Sequence, residues 1–291
     1  MKLSLLVATR GRTEELRRLF RSLVAQTYRN FETIVVDQNE DNRVDPVVAE
    51  FRDSLDLRHI PSDSRGHASA NNIGLDAADG DLIVIPDDDC WYLPDTFARL
   101  VAMFQKHPEW HGVTGREASS PDAPLNLRRF DPEAGQVTVA NVWRRHISFT
   151  MIFRSRRIGD LRYDETLGVG AGTIWGSGEE TDFLVRFILA GNYVQYDPAF
   201  VVCHPDWGAG PYSNAALRKA YAYGLGMGRV LNIHPFPPRV VCRCILRPFG
   251  GTVIAALTGK LNKAKYHWSI FRGRLGGWLA SARISDAEAS G

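Results

Sequence analysis

Three consecutive carboxylates, Asp87-Asp88-Asp89, stand directly after the apolar run Leu82 to Pro86. At the end of a buried strand such groups repel one another unless a cation neutralises them. Mg2+ or Mn2+, held by one or two carboxylates and completed by phosphate oxygens, is the usual arrangement when the substrate is a nucleotide diphosphate. The competing reading is an acidic turn that caps the next helix, where Asp95 and Thr96 also stand. A second acidic cluster, Glu179-Glu180-Thr181-Asp182, follows a stretch interrupted by Gly168, Gly170, Gly172, Gly176 and Gly178. At a helix start, exposed N–H groups and the dipole favour ionised carboxylates. An ionised carboxylate there can accept the proton that a hydroxyl loses as it forms a new bond, although acids also decorate helix starts without any such duty. His204 follows a strand-like run and precedes Pro205-Asp206-Trp207. It suits a further metal or diphosphate ligand, although a lone histidine is more often structural.

The elements that must position these groups alternate in type. Leu3 to Ala8 is an apolar run that ends at Thr9-Arg10-Gly11-Arg12. Thr13 then reads as an N-cap, with Glu14 and Glu15 in the first turn and Leu16, Leu19, Phe20 and Leu23 at helical spacing. Thr33 to Val36 is a second strand that stops at Asp37, Leu55 to Ile60 a weaker third, Ser69 to Ala78 a helix, and Leu82 to Ile85 a strand. This alternation predicts an α/β domain with a mostly parallel, Rossmann-like sheet and helices on both faces. Ligands of such sheets gather at the carboxyl ends of the strands, where Thr9-Arg10, Asp37 and Asp87 to Asp89 fall. Further on, Glu179 opens a helix closed by Gly191, and Tyr193 to Tyr196 and Phe200 to Cys203 read as two short strands.

Leu5-Leu6-Val7-Ala8-Thr9-Arg10, Ile34-Val35-Val36-Asp37, Asn71-Asn72-Ile73-Gly74-Leu75, Asp87-Asp88-Asp89 and Gly178-Glu179-Glu180-Thr181-Asp182-Phe183, in this order, resemble the family 2 glycosyltransferases of GT-A fold over residues 3 to 210. The resemblance implies an inverting enzyme that moves a sugar from a nucleotide-sugar donor to a hydroxyl acceptor by direct displacement. Thr9 and Arg10 would line the nucleotide pocket, Asp37 would hydrogen-bond the base, Asp87 would hold the ribose side and Arg65 would lie near the donor. Asp88 and Asn72 would also contact the nucleotide. Asp89, with Asp87 and His204, would ligate Mn2+ or Mg2+. Glu180 is the expected base, with Asp182 second and Glu179 third. Trp175 would cover the donor or stack on a sugar ring, against the plainer fate of a core tryptophan. Two departures stand out: Glu180 occupies a place where relatives carry Asp, and Asn71-Asn72 a place where they often carry Arg-Asn. UDP is the favoured nucleotide because Asp37 can accept from a uracil N–H, and guanine offers the same donor. The expected division is a catalytic domain over 1–210, with a nucleotide-sugar half over about 1–115 and an acceptor half over about 116–210, and a basic helical region over 211–291.

Composition supports a large core, since 44% of the 291 residues are hydrophobic. The net charge of +2 conceals an asymmetry: residues 207–285 carry twelve Lys or Arg and no Asp or Glu. Interleaved with Phe249, Tyr266, Trp268 and Phe271, these charges fit helices lying on an anionic membrane, and a lipid-linked acceptor would follow. The short apolar run Thr252 to Leu257, approached through Arg243 and Arg247, argues against a membrane-spanning helix. Nucleic acid is disfavoured because no binding motif accompanies the charge. Four cysteines without CxxC spacing and a short apolar start without a cleavage site fit a reducing cytoplasm, with the protein peripheral on the inner membrane. Neither a P-loop nor a placed GxGxxG supports ATPase or dehydrogenase chemistry. Two rival functions remain. A sugar-phosphate nucleotidyltransferase would need a glycine-rich, lysine-bearing loop where Thr9-Arg10-Gly11-Arg12 stands. A non-catalytic nucleotide-sugar-binding assembly subunit would leave Glu180 dispensable.

Overall fold

The computed structural model describes residues 1–120, 122–126, 129–205 and 212–288, without the side chains of 281–288. The expected division near residue 210 lies outside the described residues, as does Trp207. Over the first 84 residues strands and helices alternate: β1 (Leu3–Thr9), α1 (Glu14–Val24), β2 (Phe31–Asp37), α2 (Asp45–Phe51), β3 (Leu57–Pro61), α3 (His67–Ala77) and β4 (Leu82–Val84). Then follow α4 (Thr96–Lys106), β5 (Gly112–Ala118), β6 (Gly135–Gln136), α5 (Val142–Arg145), β7 (Ile152–Arg154), α6 (Ser155–Ile158), α7 (Glu179–Leu189) and β8 (Val194–Cys203). The chain ends in α8 (Asn214–Ile233), α9 (Pro238–Leu257) and α10 (Leu261–Glu288).

The eight strands form one sheet in the order β3-β2-β1-β4-β7-β5-β8-β6. From β3 to β4 every pairing is parallel, as is β5 with β8, while β7 and β6 run against their neighbours. Parallel neighbours cannot be joined by a tight turn, so α1, α2 and α3 serve as crossovers. On its core side α1 buries Leu16, Leu19, Phe20 and Leu23, the helical stripe legible in sequence; the Thr13 side chain makes no cap hydrogen bond. β1 and β2 are buried almost throughout, which the unbroken apolar runs require of strands covered on both sides. The chain walks outward from β1 to β3 and returns to lay β4 on the other flank of β1. The carboxyl ends of β1 and β4 therefore meet at a topological switch point.

The two short strands read at Tyr193–Tyr196 and Phe200–Cys203 are one strand. β8 pairs with β5 up to Thr114↔Tyr196, then resumes at Arg116↔Val201, so a bulge containing Pro198 faces Gly115 alone. Proline cannot donate to the ladder and is tolerated at such bulges. The Phe200 carbonyl oxygen would lie 2.2 Å from a Cβ at position 115.

The chain divides into two compact units: residues 1–65, 69–163 and 183–206 make the first, and residues 66–68, 164–182 and 207–291 the second. The whole sheet lies in the first. In the second, α8 and α10 touch backbone to backbone. A Cβ at Gly228 would meet the Arg274 carbonyl oxygen at 2.2 Å, and one at Gly277 would meet that of Leu225 at 2.1 Å. α9 corrects the expectation of a short apolar run at Thr252–Leu257. It is a single 20-residue helix, 17% buried, long and apolar enough by length and composition to cross a membrane, and no other helix among the described residues is. The reason is spacing: Arg239, Arg243 and Arg247 recur every four residues and occupy one stripe, so they do not interrupt the apolar remainder.

The bulge supplies a test. Replacing Gly115 by alanine forces overlap with main chain that cannot rotate away, a cost of about 2 kcal/mol. Gly115→Ala is expected to lower the calorimetric Tm by several degrees, whereas Gly250→Ala on α9, where the added methyl meets nothing within 4 Å, is expected to leave it unchanged or slightly raised.

Candidate active site

The aspartate run leaves the sheet at the switch point. Asp87 bridges in parallel register to Ala8 of β1, and a turn closes when the Cys90 N–H donates to the Asp87 carbonyl at 3.1 Å. Two arginines from the β1–α1 region fix this turn. Arg18 donates to the Asp89 carbonyl at 2.7 Å while lying 4.7 Å over the Trp91 ring. Arg12 reaches the Asp88 and Asp89 carboxylates, each at 2.6 Å. The second Asp88 oxygen accepts from the Thr9 hydroxyl at 2.8 Å. Asp88 is thus turned inward. Its burial raises the carboxyl pKa above the ordinary range despite Arg12 and Thr9, and the Asp89 charge adds to the rise.

The other wall comes from the end of β8. Cys203 exchanges both backbone hydrogen bonds with Trp91, at 2.9 and 3.0 Å, and the His204 N–H donates to Ala118 at 2.9 Å. His204 stacks on Phe149, with ring centroids 5.0 Å apart. Its Nδ1 donates to the Pro205 carbonyl at 2.7 Å, which leaves Nε2 aimed at Asp89 Oδ1, 3.2 Å away. Burial opposes ionisation of both partners. It is outweighed for Asp89, whose pKa falls below the ordinary value through His204 and Arg12, and for His204, whose pKa rises through Asp89, the Pro205 carbonyl and Asp87. One ligand atom each from Asp87, Asp89 and His204 lies within 4.8 Å of the others. Two carboxylate oxygens and an imidazole nitrogen whose other ring nitrogen is already committed form a donor set that fits a divalent ion such as Mn2+.

The remaining sheet-side residues are placed as follows. Thr9 and Asp37 end β1 and β2 and are buried, whereas Arg10 and Arg65 are exposed. The Asp37 carboxylate accepts from Asn39, at 3.0 Å from its backbone and 2.6 Å from its side chain, and lies 2.9 Å from His59 Nε2. Asn72 clips Tyr163, donating to its carbonyl at 3.1 Å and accepting from its N–H at 2.7 Å. Arg12, Arg18 and His59 escaped sequence reasoning; only the position of Arg12 in the loop after β1 hinted at a role.

In the second unit the acids at the start of α7 have separate fates. Glu179 is buried beneath Gly168, with His67 Nδ1 3.8 Å from its carboxylate. Asp182 is buried and bonded to His234 Nε2 at 2.8 Å. Glu180 is half-buried and makes no hydrogen bond or ion pair among the described residues. The glycine-rich loop that delivers these acids lies along α8. The Gly176 N–H donates to Ala222 at 3.1 Å, the Ser177 hydroxyl to Tyr223 at 2.8 Å, and Arg229 covers the buried Trp175 ring at 5.1 Å. Gly178, at φ 102°, is in a conformation that only glycine adopts freely.

The Asp182 contact is testable. His234→Ala strands a buried carboxylate without this donor, a loss of about 2 kcal/mol. A Tm several degrees lower at pH 7, largely restored in His234→Gln, is the expected calorimetric result.

The family model for glycosyl transferase family 2 matches residues 4–164. Among curated proteins, the glucosyl-dolichyl phosphate glucuronosyltransferase of Haloferax volcanii is 29% identical over 136 residues, covering 46% of this chain and 43% of that protein, so the chain spans less than half of that relative's length. Among solved structures, a mannosyltransferase from Pyrobaculum calidifontis in complex with GDP-Man and Mn2+ superposes with a TM-score of 0.66 at 18% identity, over 96% of this chain and 86% of that one. Staphylococcus aureus TarS 1-349 in complex with UDP superposes at 0.60 and 18% identity, over 94% and 92%. These likenesses establish the GT-A fold. With more than half of its residues matched by the family model, the chain belongs to glycosyl transferase family 2.

Proposed function

We propose that the protein is an inverting glycosyltransferase that moves a sugar from a nucleoside-diphosphate sugar, UDP favoured, onto a hydroxyl acceptor. The observation that carries this reading is the convergence of Asp87, Asp89 and His204 at the carboxyl ends of β4 and β8 in a chain of this family. Those three residues would hold the divalent ion, which when bound supplies positive charge to the departing diphosphate. Arg12, Arg18 and Thr9 keep the aspartate turn in place, and Asp37 offers its carboxylate to a base N–H. Glu180 accepts the hydroxyl proton as the acceptor oxygen bonds to the anomeric carbon and the bond to the diphosphate oxygen breaks, inverting the centre. Among the three acids of α7 it is the one whose carboxylate is not engaged elsewhere, while Glu179 and Asp182 are committed to packing and to His234. The structural neighbours were solved with UDP and with GDP-Man and Mn2+, which supports the donor class and leaves the base to experiment.

Melting curves with UDP and GDP, with and without Mn2+, test this reading. The matching nucleotide with Mn2+, at a hundred times its Kd, is expected to stabilise by about 2.7 kcal/mol, and Asp89→Asn to lose the Mn2+-dependent part. Glu180→Gln is expected to keep that stabilisation while donor turnover falls about 10²- to 10⁴-fold. If no nucleotide raises Tm, the pocket assignment fails, and release of pyrophosphate instead of a nucleoside diphosphate would move the chain to the nucleotidyltransferases.

The acceptor we favour is lipid-linked, with the enzyme peripheral on the cytoplasmic face of the inner membrane. α9 exposes Leu246, Phe249, Val253, Ile254 and Leu257, and the basic groups around it face no acid on α8 or α9. Each such group near an anionic surface adds about 1 kcal/mol. A relative named for glucosyl-dolichyl phosphate supports the same acceptor class. On fractionation, alkaline carbonate is expected to release the protein from membranes; retention in the pellet would make α9 a spanning helix instead.

A further inference from the structure

The second unit holds a groove of about 490 Å3, within the range of small-molecule sites, for which the transfer chemistry above has no use. Ile174 of the glycine-rich loop, Leu217, Tyr221 and Leu225 of α8, and two exposed arginines, Arg218 of α8 and Arg272 of α10, line it. The two arginines distinguish it from an ordinary apolar crease. Neither makes an ion pair or hydrogen bond among the described residues, and residues 207–285 contain no carboxylate to neutralise them. The Arg272 guanidinium lies over the Tyr221 ring at 5.8 Å, which orients it without consuming its donors. Ile174 is 58% exposed, so a ligand seated in the groove would cover apolar surface now in water. The loop that supplies Ile174 continues within six residues to Glu180.

A groove apolar along its length and doubly cationic at its edge complements a ligand of the opposite composition: a hydrocarbon chain ending in a phosphate. Guanidinium groups bind phosphate through paired, charge-assisted hydrogen bonds, and the hydrocarbon covers apolar surface otherwise left in water. The geometry points to this groove as the seat of the acceptor's lipid phosphate, with the phosphate on Arg218 and Arg272 and the first part of the hydrocarbon against Ile174, Leu217 and Leu225. The identification of the ligand as the acceptor rests on the glycosyltransferase reading above; the site's preference for an amphipathic phosphate does not.

Isothermal titration of the full chain with dodecyl phosphate, below its micellar concentration, tests the site. Saturable binding at one site per chain is expected, with inorganic phosphate and the neutral dodecyl maltoside each at least about tenfold weaker. Arg218→Gln and Arg272→Gln should each raise the Kd for dodecyl phosphate about tenfold, and Ile174→Asp, on an exposed wall where folding is not at stake, should do the same. The proposal is overturned if the three variants bind as the wild type does, if inorganic phosphate binds equally well, or if uptake is unsaturable, the mark of general adsorption to the apolar face of α9. The nucleotide and Mn2+ melting shift is read in the same samples. Loss of that shift with lipid-phosphate binding intact would refute the transferase reading and leave the groove standing; the reverse result would refute the groove alone.

Discussion

Three carboxylates at the mouth of one short strand are the constraint around which the first unit is organised. Left to themselves Asp87, Asp88 and Asp89 would repel one another by several kcal/mol in a partly buried setting. The fold answers with a separate arrangement for two of them. Asp88 is turned inward onto Thr9 and Arg12, and Asp89 is shared between Arg12 and His204. Arg18 pins the turn through a backbone carbonyl and leaves the carboxylates to other partners. Because Thr9, Arg12 and Arg18 come from the end of β1 and the start of α1, and His204 from the end of β8, the compensation exists only once distant strands have paired.

That dependence explains what could be read in the sequence and what could not. β1, β2 and β4 were legible because each is an apolar run stopped by a polar residue, and Thr9, Asp37 and the aspartates stand where those runs stop. The convergence of Asp87, Asp89 and His204 was an expectation from resemblance, and the structure brings the three together. Arg12 was not legible as their partner, since nothing local tells which arginine of Thr9-Arg10-Gly11-Arg12 turns inward and which stays in solvent. The pairs Asn72 with Tyr163 and Asp182 with His234, 91 and 52 residues apart, lie beyond any local pattern. Pro198 made one strand look like two, because periodicity registers a bulge as a break. In α9 the arginine stripe hid a helix of 20 residues.

The two acidic clusters are built on different principles. At the end of β4 charge is compensated by cations within hydrogen-bond distance. At the start of α7 it is sorted by burial: Glu179 and Asp182 are sunk among partners, and Glu180 is left half-exposed. What separates the three is packing, since all of them lie in the same first turn of α7.

The backbone contact of α8 with α10 has a consequence for how the C-terminal region relates to the chemistry. Where helices meet through glycines, no side chain lies between them to absorb a shift by changing rotamer, so displacement of one is passed on to the other almost undiminished. α8 in turn holds the loop that carries Glu180, through Ala222, Tyr223 and Arg229. A chain shortened before α8 would keep every acidic side chain named above yet lose the wall against which the loop is set. α8 and α10 therefore set the loop that leads into Glu180, the residue proposed as the base, and do more than supply a basic surface.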